Sequence, residues 1–139
     1  MLGGGQDVEA QKCITRPIEN ILLVEDNEIN REIMQSQLTA MEYRVDMAVN
    51  GTEALKLYQQ KAYDVILTDI EMPEMNGYEL TAEIRRLEAD TDRSTPILAI
   101  TASEFDLNEE RALSMGFNGY MLKPLEIEVL KNKLASIAC

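Results

Sequence analysis

Acidic, hydroxyl and ammonium side chains directly follow four short apolar runs of this 139-residue chain. The first run ends in Glu25 and Asp26, the next in Asp69, and the last two in Thr101 and Lys123. Three carboxylates that lie together repel one another, so a cation is needed to keep all three ionised. Mg²⁺ or Mn²⁺, which takes one or two carboxylates and keeps several waters, suits this set better than Ca²⁺, because no EF-hand run of ligands is present.

These side chains have the composition of a site for phosphoryl transfer. One carboxylate can attack a phosphoryl group, Lys123 can offset its charge, and the Thr101 hydroxyl can bond one of its oxygens. Each residue alone also has a structural interpretation. Glu25 and Asp26 suit the start of a helix, Asp69 suits a turn, and most lysines are solvated. The occurrence of complementary groups at four strand ends favours the functional interpretation.

The elements that must position these residues alternate between strand and helix periods. The predicted strands cover residues 21–25, 43–49, 64–69, 96–101 and 119–122. The predicted helices cover the stretch from an Asn27 cap to residue 41, then 52–61, 77–87, 106–115 (closed by Gly116) and 125–137. Five strands that alternate with five helices predict a mostly parallel sheet covered on both faces. Ligands of such sheets bind beyond the carboxyl ends of the strands, where the four polar groups would meet.

Apolar residues at helical spacing predict which side of each helix is buried. In the first helix the predicted stripe comprises Ile29, Ile33, Met34, Leu38 and Met41. In the last helix it comprises Ile127, Leu130, Leu134 and Ile137.

Composition excludes several classes of function. The formal net charge of −12 would repel nucleic acid and anionic membranes. The absence of histidine excludes histidine triads, histidine metal ligands and a phosphohistidine on this chain. The apolar runs are too short to span a bilayer and no signal peptide is visible, so a cytoplasmic location is predicted. Cys13 and Cys139 are predicted to be free thiols. Residues 1–18, with Gly3–Gly5, are predicted to form a flexible leader or linker before one domain at 19–139.

Four segments resemble the receiver domain of two-component response regulators: ILLVEDNEINR at 21–31, DVILTDIEMPEMNG at 64–77, PILAITA at 96–102 and GYMLKP at 119–124. The first two are most similar to receivers of hybrid sensor histidine kinases. The resemblance extends from residue 19 to about residue 137. It implies an α/β fold of the flavodoxin-like, CheY-like type, a doubly wound five-stranded parallel sheet in the order 2-1-3-4-5 with five helices.

The resemblance also implies roles for the acidic residues. Asp69 would accept a phosphoryl group from a phosphohistidine on a histidine kinase or a histidine phosphotransfer protein. Asp26 and Asp69 would ligate Mg²⁺ together with the backbone carbonyl of Glu71, and Glu25 would assist through water. The acidic pair is often Asp-Asp in the family, so Glu25 is a departure that retains the charge. Glu71 and Ser103 lie at positions that tune the lifetime of the phosphoryl group in such domains.

The remaining implied roles concern the switch. Lys123 would bond the phosphoryl oxygens, and its peptide bond to Pro124 would be cis. Thr101 would move toward the phosphoryl group while Tyr120 changes its exposure, which shifts the population between two states with different partner affinities. Such a domain catalyses its own phosphorylation and dephosphorylation, and a parent hybrid chain would be a kinase.

Two other functions are compatible with parts of the sequence. The first is a receiver-like interaction module that binds partners without phosphorylation, against which the complete set of Asp26, Asp69, Thr101 and Lys123 argues. The second is a phosphohydrolase with an aspartyl nucleophile, in which Glu71, two residues after Asp69, would act as the general acid.

Overall fold

The computed structural model describes residues 18–102 and 108–138, and all ten predicted elements are present in that part of the chain. The strands are β1 (Asn20–Val24), β2 (Arg44–Ala48), β3 (Val65–Asp69), β4 (Ile97–Thr101) and β5 (Gly119–Leu122). The helices are α1 (Glu28–Ala40), α2 (Gly51–Gln60), α3 (Gly77–Glu88), α4 (Glu109–Ser114) and α5 (Ile127–Ala138). The predicted leader up to residue 17, Ser103, the predicted start of the fourth helix at 106, and both cysteines lie outside the described residues.

The five strands form one parallel sheet in the order β2-β1-β3-β4-β5, which confirms the predicted order. Strands β3 and β4 are buried at every position, and β1 at all but its first. Continuous burial of this kind arises because helices cover both faces of a parallel sheet. The carboxyl ends of the strands therefore lie along one edge of the sheet.

Alternate residues of each strand point to opposite faces, so the core has two layers. One layer packs Leu22, Ile66 and Ala99 of the sheet against residues of α2, α3 and α4, such as Leu80 of α3 and Ala112 of α4. The other packs the alternate residues against α1 and α5 and includes Leu23, Leu67, Ile100, Leu38 and Leu130. The position of a residue along its strand thus determines which of the two layers its side chain faces, and this holds up to the last residue of the strand.

Asparagine side chains cap the four helices that follow β1 to β4. Asn27, Asn50, Asn76 and Asn108 each accept a hydrogen bond from the backbone N–H three residues later, at 2.8–2.9 Å. The predicted cap at Asn27 is confirmed. The predicted start of the third helix at residue 77 is confirmed, with Asn76 as its cap.

Other local predictions are confirmed by the backbone. Gly116 follows α4 with φ of 100°, a left-handed conformation in which glycine has no steric penalty. The Lys123–Pro124 peptide bond is cis. Within residues 18–102 and 108–138, every helix is too short or too polar to cross a membrane.

The predicted apolar stripe of the first helix is wrong in part. Met34 and Leu38 are buried in the core, whereas Ile29 and Ile33 are 67% and 54% exposed. Successive residues of a helix are rotated by about 100°, so Ile33 lies well around the axis from Met34. The predicted stripe was wider than the face that the sheet can cover. Ile127 is also 41% exposed, since it begins α5 and no preceding helical turn covers it.

A hydrogen-bonded, buried carboxylate, that of Glu88, lies near the amino end of β4, opposite the acidic end of the sheet. Glu88 accepts hydrogen bonds from the Tyr58 hydroxyl at 2.8 Å, the Thr95 backbone N–H at 2.9 Å and the Arg85 guanidinium at 2.8 Å. Burial by itself would raise the pKa of Glu88, but these donors outweigh burial and lower it below the usual value. Arg85 also donates to the carbonyl of Gly116 at 3.0 Å. The chain therefore enters β4 and β5 from fixed points.

Candidate active site

Two acidic residues lie side by side where β1 and β3 end. Val24 pairs with Thr68 in the parallel ladder, so Glu25 and Asp69 are the next residues on neighbouring strands. Glu25 continues the alternation of Leu23 on β1, and Asp69 continues that of Leu67 on β3. Both leucines face the layer under α1 and α5. Both carboxylates are therefore delivered to the same face at the same edge, although residues Glu25 and Asp69 are only 1% and 6% exposed.

Lys123 brings a positive charge to the same place. Thr101 pairs with Leu122 at the end of the β4–β5 ladder, and Lys123 is the first residue past β5. Its backbone N–H donates to the carbonyl of Thr101 at 2.8 Å. Its Nζ lies 3.0 Å from Oε1 of Glu25 and 3.2 Å from Oδ2 of Asp69. One ammonium group thus bridges the two buried carboxylates.

A third carboxylate, that of Asp26, completes an acidic cluster. One oxygen from each of Glu25, Asp26 and Asp69 lies within 4.8 Å of the others, and only Asp26 is exposed. The buried Oε1 of Glu25 accepts no hydrogen bond of favourable geometry and has only the Lys123 ammonium beside it among the described residues. A set of oxygen ligands with this unmet need for positive charge fits a hard dication such as Mg²⁺.

The electrostatics of the cluster point the same way. Burial is the main cause that raises the pKa of Glu25, and the charge of Asp69 adds to it. The backbone N–H of Asn27, 3.0 Å from Oε2, and the Lys123 ammonium only partly offset that increase. Burial also acts to lower the pKa of Lys123, but Glu25 and Asp69 outweigh it and raise that pKa. Lys123 alone therefore does not offset the burial and repulsion that act on Glu25.

The arrangement distinguishes Asp69 from Glu25 as a possible nucleophile. Oε2 of Glu25 accepts a hydrogen bond from the Asn27 N–H, Oε1 is ion-paired with Lys123 without a well-aligned hydrogen bond, and the side chain is 1% exposed. The side chain of Asp69 retains 9% exposure. A cavity of about 700 Å³ adjoins it through its neighbour Ile70. The lining of that cavity comprises Ile70, Glu71, Met72, Pro73, Asn76, Tyr78, Thr101 and Arg111. Asp69 is thus the more accessible of the two buried carboxylates.

Thr101 and Tyr120 lie on the other face of the sheet. Thr101 ends β4, is buried, and lines the cavity beside Asp69. Tyr120 pairs with Ala99, is half-buried, and lines a separate groove of about 290 Å³. Its ring centroid lies 5.9 Å from Nζ of Lys133. The structure thus places Thr101 in the lining of the cavity that Ile70 and Glu71 share, and Tyr120 in a separate groove.

The predicted ligand position Glu71 is exposed and lines the same cavity, two residues after Asp69. Ligation of a metal by its backbone carbonyl stays a prediction, and so does the switch role of Thr101 and Tyr120.

Two further residues shape the site and were not predicted from the sequence. A Cβ at Gly77 would lie 2.5 Å from the carbonyl oxygen of Asp69, so α3 begins in direct contact with the backbone of the acidic residue. The Arg31 guanidinium donates to the carbonyls of Glu25 at 3.0 Å and Asp26 at 3.4 Å. Neither contact has a signal in local sequence, because each joins residues that meet only in the folded chain.

The family model of the response regulator receiver domain matches residues 21–135 of this chain. The chain belongs to the response regulator receiver domain family. This result confirms the resemblance noted in the four segments. The receiver domain described here holds its acidic cluster, threonine and lysine in the order along the chain that the resemblance implied.

Curated relatives of the receiver domain include sensor kinases. The sensor protein EvgS of Escherichia coli K12 is 36% identical over 132 residues, which cover 94% of this chain and 11% of that protein. Hybrid signal transduction histidine kinase B of Dictyostelium discoideum is 38% identical over 139 aligned residues, 90% of this chain and 7% of that protein. The chain thus spans about a tenth of the length of these relatives.

Solved structures similar to the receiver domain include two informative cases. The receiver domain of Ssk1 from Saccharomyces cerevisiae, crystallised with the histidine phosphotransfer protein Ypd1, has a TM-score of 0.80 and 30% identity, covering 88% of this chain and 90% of that one. The receiver domain of sensor histidine kinase PA1611 from Pseudomonas aeruginosa has a TM-score of 0.76 and 33% identity, covering 87% and 98%. The latter has a magnesium ion coordinated in its active-site cleft.

Proposed function

We propose that this receiver domain accepts a phosphoryl group on Asp69 from a phosphohistidine of a partner protein. The observation that carries the proposal is the bridge from Lys123 to Glu25 and Asp69, at 3.0 Å and 3.2 Å, inside a cluster of three carboxylates. A lysine and a surplus of carboxylates at one strand edge provide a nucleophile, a charge-offsetting donor and a cation site within a few ångströms.

The cation site fits Mg²⁺. Asp26, Asp69 and the backbone carbonyl of Glu71 would hold the ion, with Glu25 acting through water. When bound, the ion neutralises negative charge on the phosphoryl oxygens. The magnesium ion in the similar PA1611 receiver supports this assignment.

The residues of the chain carry the rest of the proposed reaction. A carboxylate oxygen of Asp69 attacks the phosphorus, the bond from phosphorus to the histidine nitrogen breaks, and its electron pair returns to the imidazole. Nζ of Lys123 donates to a phosphoryl oxygen while it still pairs with Glu25. The Thr101 hydroxyl donates to another oxygen. Burial of Glu25 keeps that carboxylate out of competition for the phosphoryl group.

Phosphorylation would also change partner binding. Thr101 would move toward the phosphoryl group and Tyr120 would change its exposure, which shifts a population between two states. Tyr120 is half-buried beside an open groove, so its ring has room to move.

The experiment that tests the proposal is labelling by a small phosphodonor. We expect acetyl phosphate with Mg²⁺ to add one phosphoryl group to the chain, measured as intact mass, and excess EDTA to abolish the addition because the carboxylates then repel the donor. Hydroxylamine should release the group, as it cleaves acyl phosphates. A chain that stays unlabelled yet binds a partner would be an interaction module, and sustained release of phosphate from a free phosphoester would indicate a hydrolase.

The exposed side of α1 suggests where a protein phosphodonor docks. Ile29 and Ile33 are one helical turn apart, and α1 begins two residues after Asp26. Adjacent exposed apolar side chains beside a reactive site suit a protein partner. A histidine phosphotransfer protein is the occupant we propose, since the similar Ssk1 receiver was crystallised with Ypd1.

Replacing Ile29 and Ile33 together with serine should slow phosphotransfer from a histidine phosphotransfer protein by about tenfold or more, as each buried apolar contact contributes about 1 kcal/mol. Transfer would be measured from phosphorylated Ypd1 and from other phosphotransfer proteins, with the fastest donor used for comparison. Labelling by acetyl phosphate should be unchanged. Leu113→Ser, at an exposed leucine of α4, is the matched control. Equal slowing with acetyl phosphate, or no slowing with the protein donor, would contradict the assignment.

A further inference from the structure

Arg31 occupies an unusual position beside the acidic cluster. It lies in the first turns of α1, and its backbone N–H donates to the carbonyl of Asn27 at 2.9 Å. Its half-buried side chain turns back toward the end of β1. There Nη1 donates to the carbonyl of Glu25 at 3.0 Å and lies 3.4 Å from that of Asp26. The guanidinium thus contacts the backbone of two acidic residues rather than their carboxylates.

The two acidic residues differ in what else holds them. The backbone N–H of Glu25 donates to Ala48 at 3.1 Å, and its carboxylate contacts Asn27 and Lys123. Asp26 is exposed, so packing does not hold its side chain in place. It lies in the short link between β1 and α1, where a change in backbone direction would carry its carboxylate away from Asp69.

Because Arg31 contacts carbonyls, it occupies none of the carboxylate oxygens of the cluster. A positive charge that close would by itself weaken cation binding, because like charges repel. Nη1 carries two N–H donors, so this one nitrogen can donate to both carbonyls. These two properties act in opposite directions on cation affinity, so they can be separated by experiment.

We propose that Arg31 is a positioning residue that fixes the backbone of Glu25 and Asp26 and so holds their carboxylates toward Asp69. This proposal rests on the proposed function for the identity of the cation. Arg31 touches neither the cation nor the phosphoryl group, and it acts through the two acidic residues.

The test compares Mg²⁺ affinity by isothermal titration calorimetry of the full chain at constant ionic strength. We expect Arg31→Ala to weaken Mg²⁺ binding by about tenfold, as the loss of a group that orients metal ligands commonly does. Arg31→Lys, which keeps the charge on a shorter side chain with a different donor geometry, should fall between wild type and Arg31→Ala. Arg86→Ala is the matched control, since Arg86 pairs with Glu83 on the surface of α3 and its removal changes the net charge equally. The control should leave Mg²⁺ affinity unchanged or slightly tighter.

A second readout does not depend on the metal. In the metal-free protein, ¹⁵N relaxation of the Asp26 and Asn27 amides should report greater mobility in Arg31→Ala than in wild type. Mg²⁺ affinity of Arg31→Ala equal to or tighter than that of Arg86→Ala would overturn the proposal. If Arg31→Ala does not fold, Arg31→Lys decides by the same comparison. If wild type binds no Mg²⁺, the proposed function fails, and the relaxation of these amides alone decides the role of Arg31.

Discussion

Asp69→Asn should abolish phosphoryl labelling of the receiver domain by acetyl phosphate, because an amide oxygen is too weak a nucleophile to replace the carboxylate. The substitution keeps the shape of the side chain at a position with 9% exposure. The ion pair between Lys123 and Glu25 does not require Asp69 and should persist. The measurement is intact mass after incubation with Mg²⁺, with thermal unfolding to verify that the variant is folded. Asp69→Ala should give the same loss.

The control for that experiment is Asp90→Asn, which removes an exposed carboxylate after α3 and should retain full labelling. Labelling that persists in Asp69→Asn would place the phosphoryl group on another residue. Glu25 and Asp26 would then be the candidates, and peptide mapping would separate them. A phosphoryl group found on Glu25 would contradict the conclusion that its burial and its contacts with Asn27 and Lys123 exclude it as the acceptor.

Lys123→Met should slow labelling by about a hundredfold while the acceptor remains, since loss of one donor to developing charge commonly has that effect. Mg²⁺ binding should respond in the opposite direction. Without the ammonium at 3.0 Å and 3.2 Å, Glu25 and Asp69 lose their internal cation, so the ion should bind as tightly as in wild type or more tightly. A time course of labelling at saturating Mg²⁺ and a Mg²⁺ titration measure the two effects separately.

Lys131→Met is the matched control, because Lys131 is exposed on α5 and carries the same charge. It should label at the wild-type rate. If Lys123→Met matched that rate, the bridge to Glu25 and Asp69 would be structural only. If Lys123→Met is unstable without Mg²⁺, its melting temperature should rise more with added Mg²⁺ than that of wild type, because the metal then provides the missing positive charge.

The sequence alone predicted the sheet and the meeting of Glu25, Asp26, Asp69 and Lys123 at its edge. Hydrophobic periods located all ten elements, since fully buried strands must be continuous apolar runs. The strand ends then identified the cluster, because parallel strands deliver their carboxyl ends to one edge. Asp26, Asp69, Thr101 and Lys123 required no knowledge of packing, only the order of strand and polar residue.

Other properties depended on contacts between distant segments. The burial of Glu25 and its pairing with Lys123 join residues that are far apart in the chain, so no local pattern distinguishes it from its exposed neighbour Asp26. The exposure of Ile29 and Ile33 depended on how much of α1 the sheet can cover.

The roles of Gly77 and Arg31 also became visible only in the folded structure, because each depends on a close contact in three dimensions. Gly77 was predicted only as the first residue of a helix, and the folded chain places it against the carbonyl of Asp69, where a Cβ would lie 2.5 Å from the oxygen. Arg31 read as an ordinary helical arginine, and its role follows from the turn of α1 back over the end of β1. The sequence by itself determined which chemical groups reach the edge of the sheet, since periodicity and order are local properties. The tertiary structure decided which of those groups are buried, paired or held in position, because these properties depend on three-dimensional contacts that a local pattern of residue types does not encode.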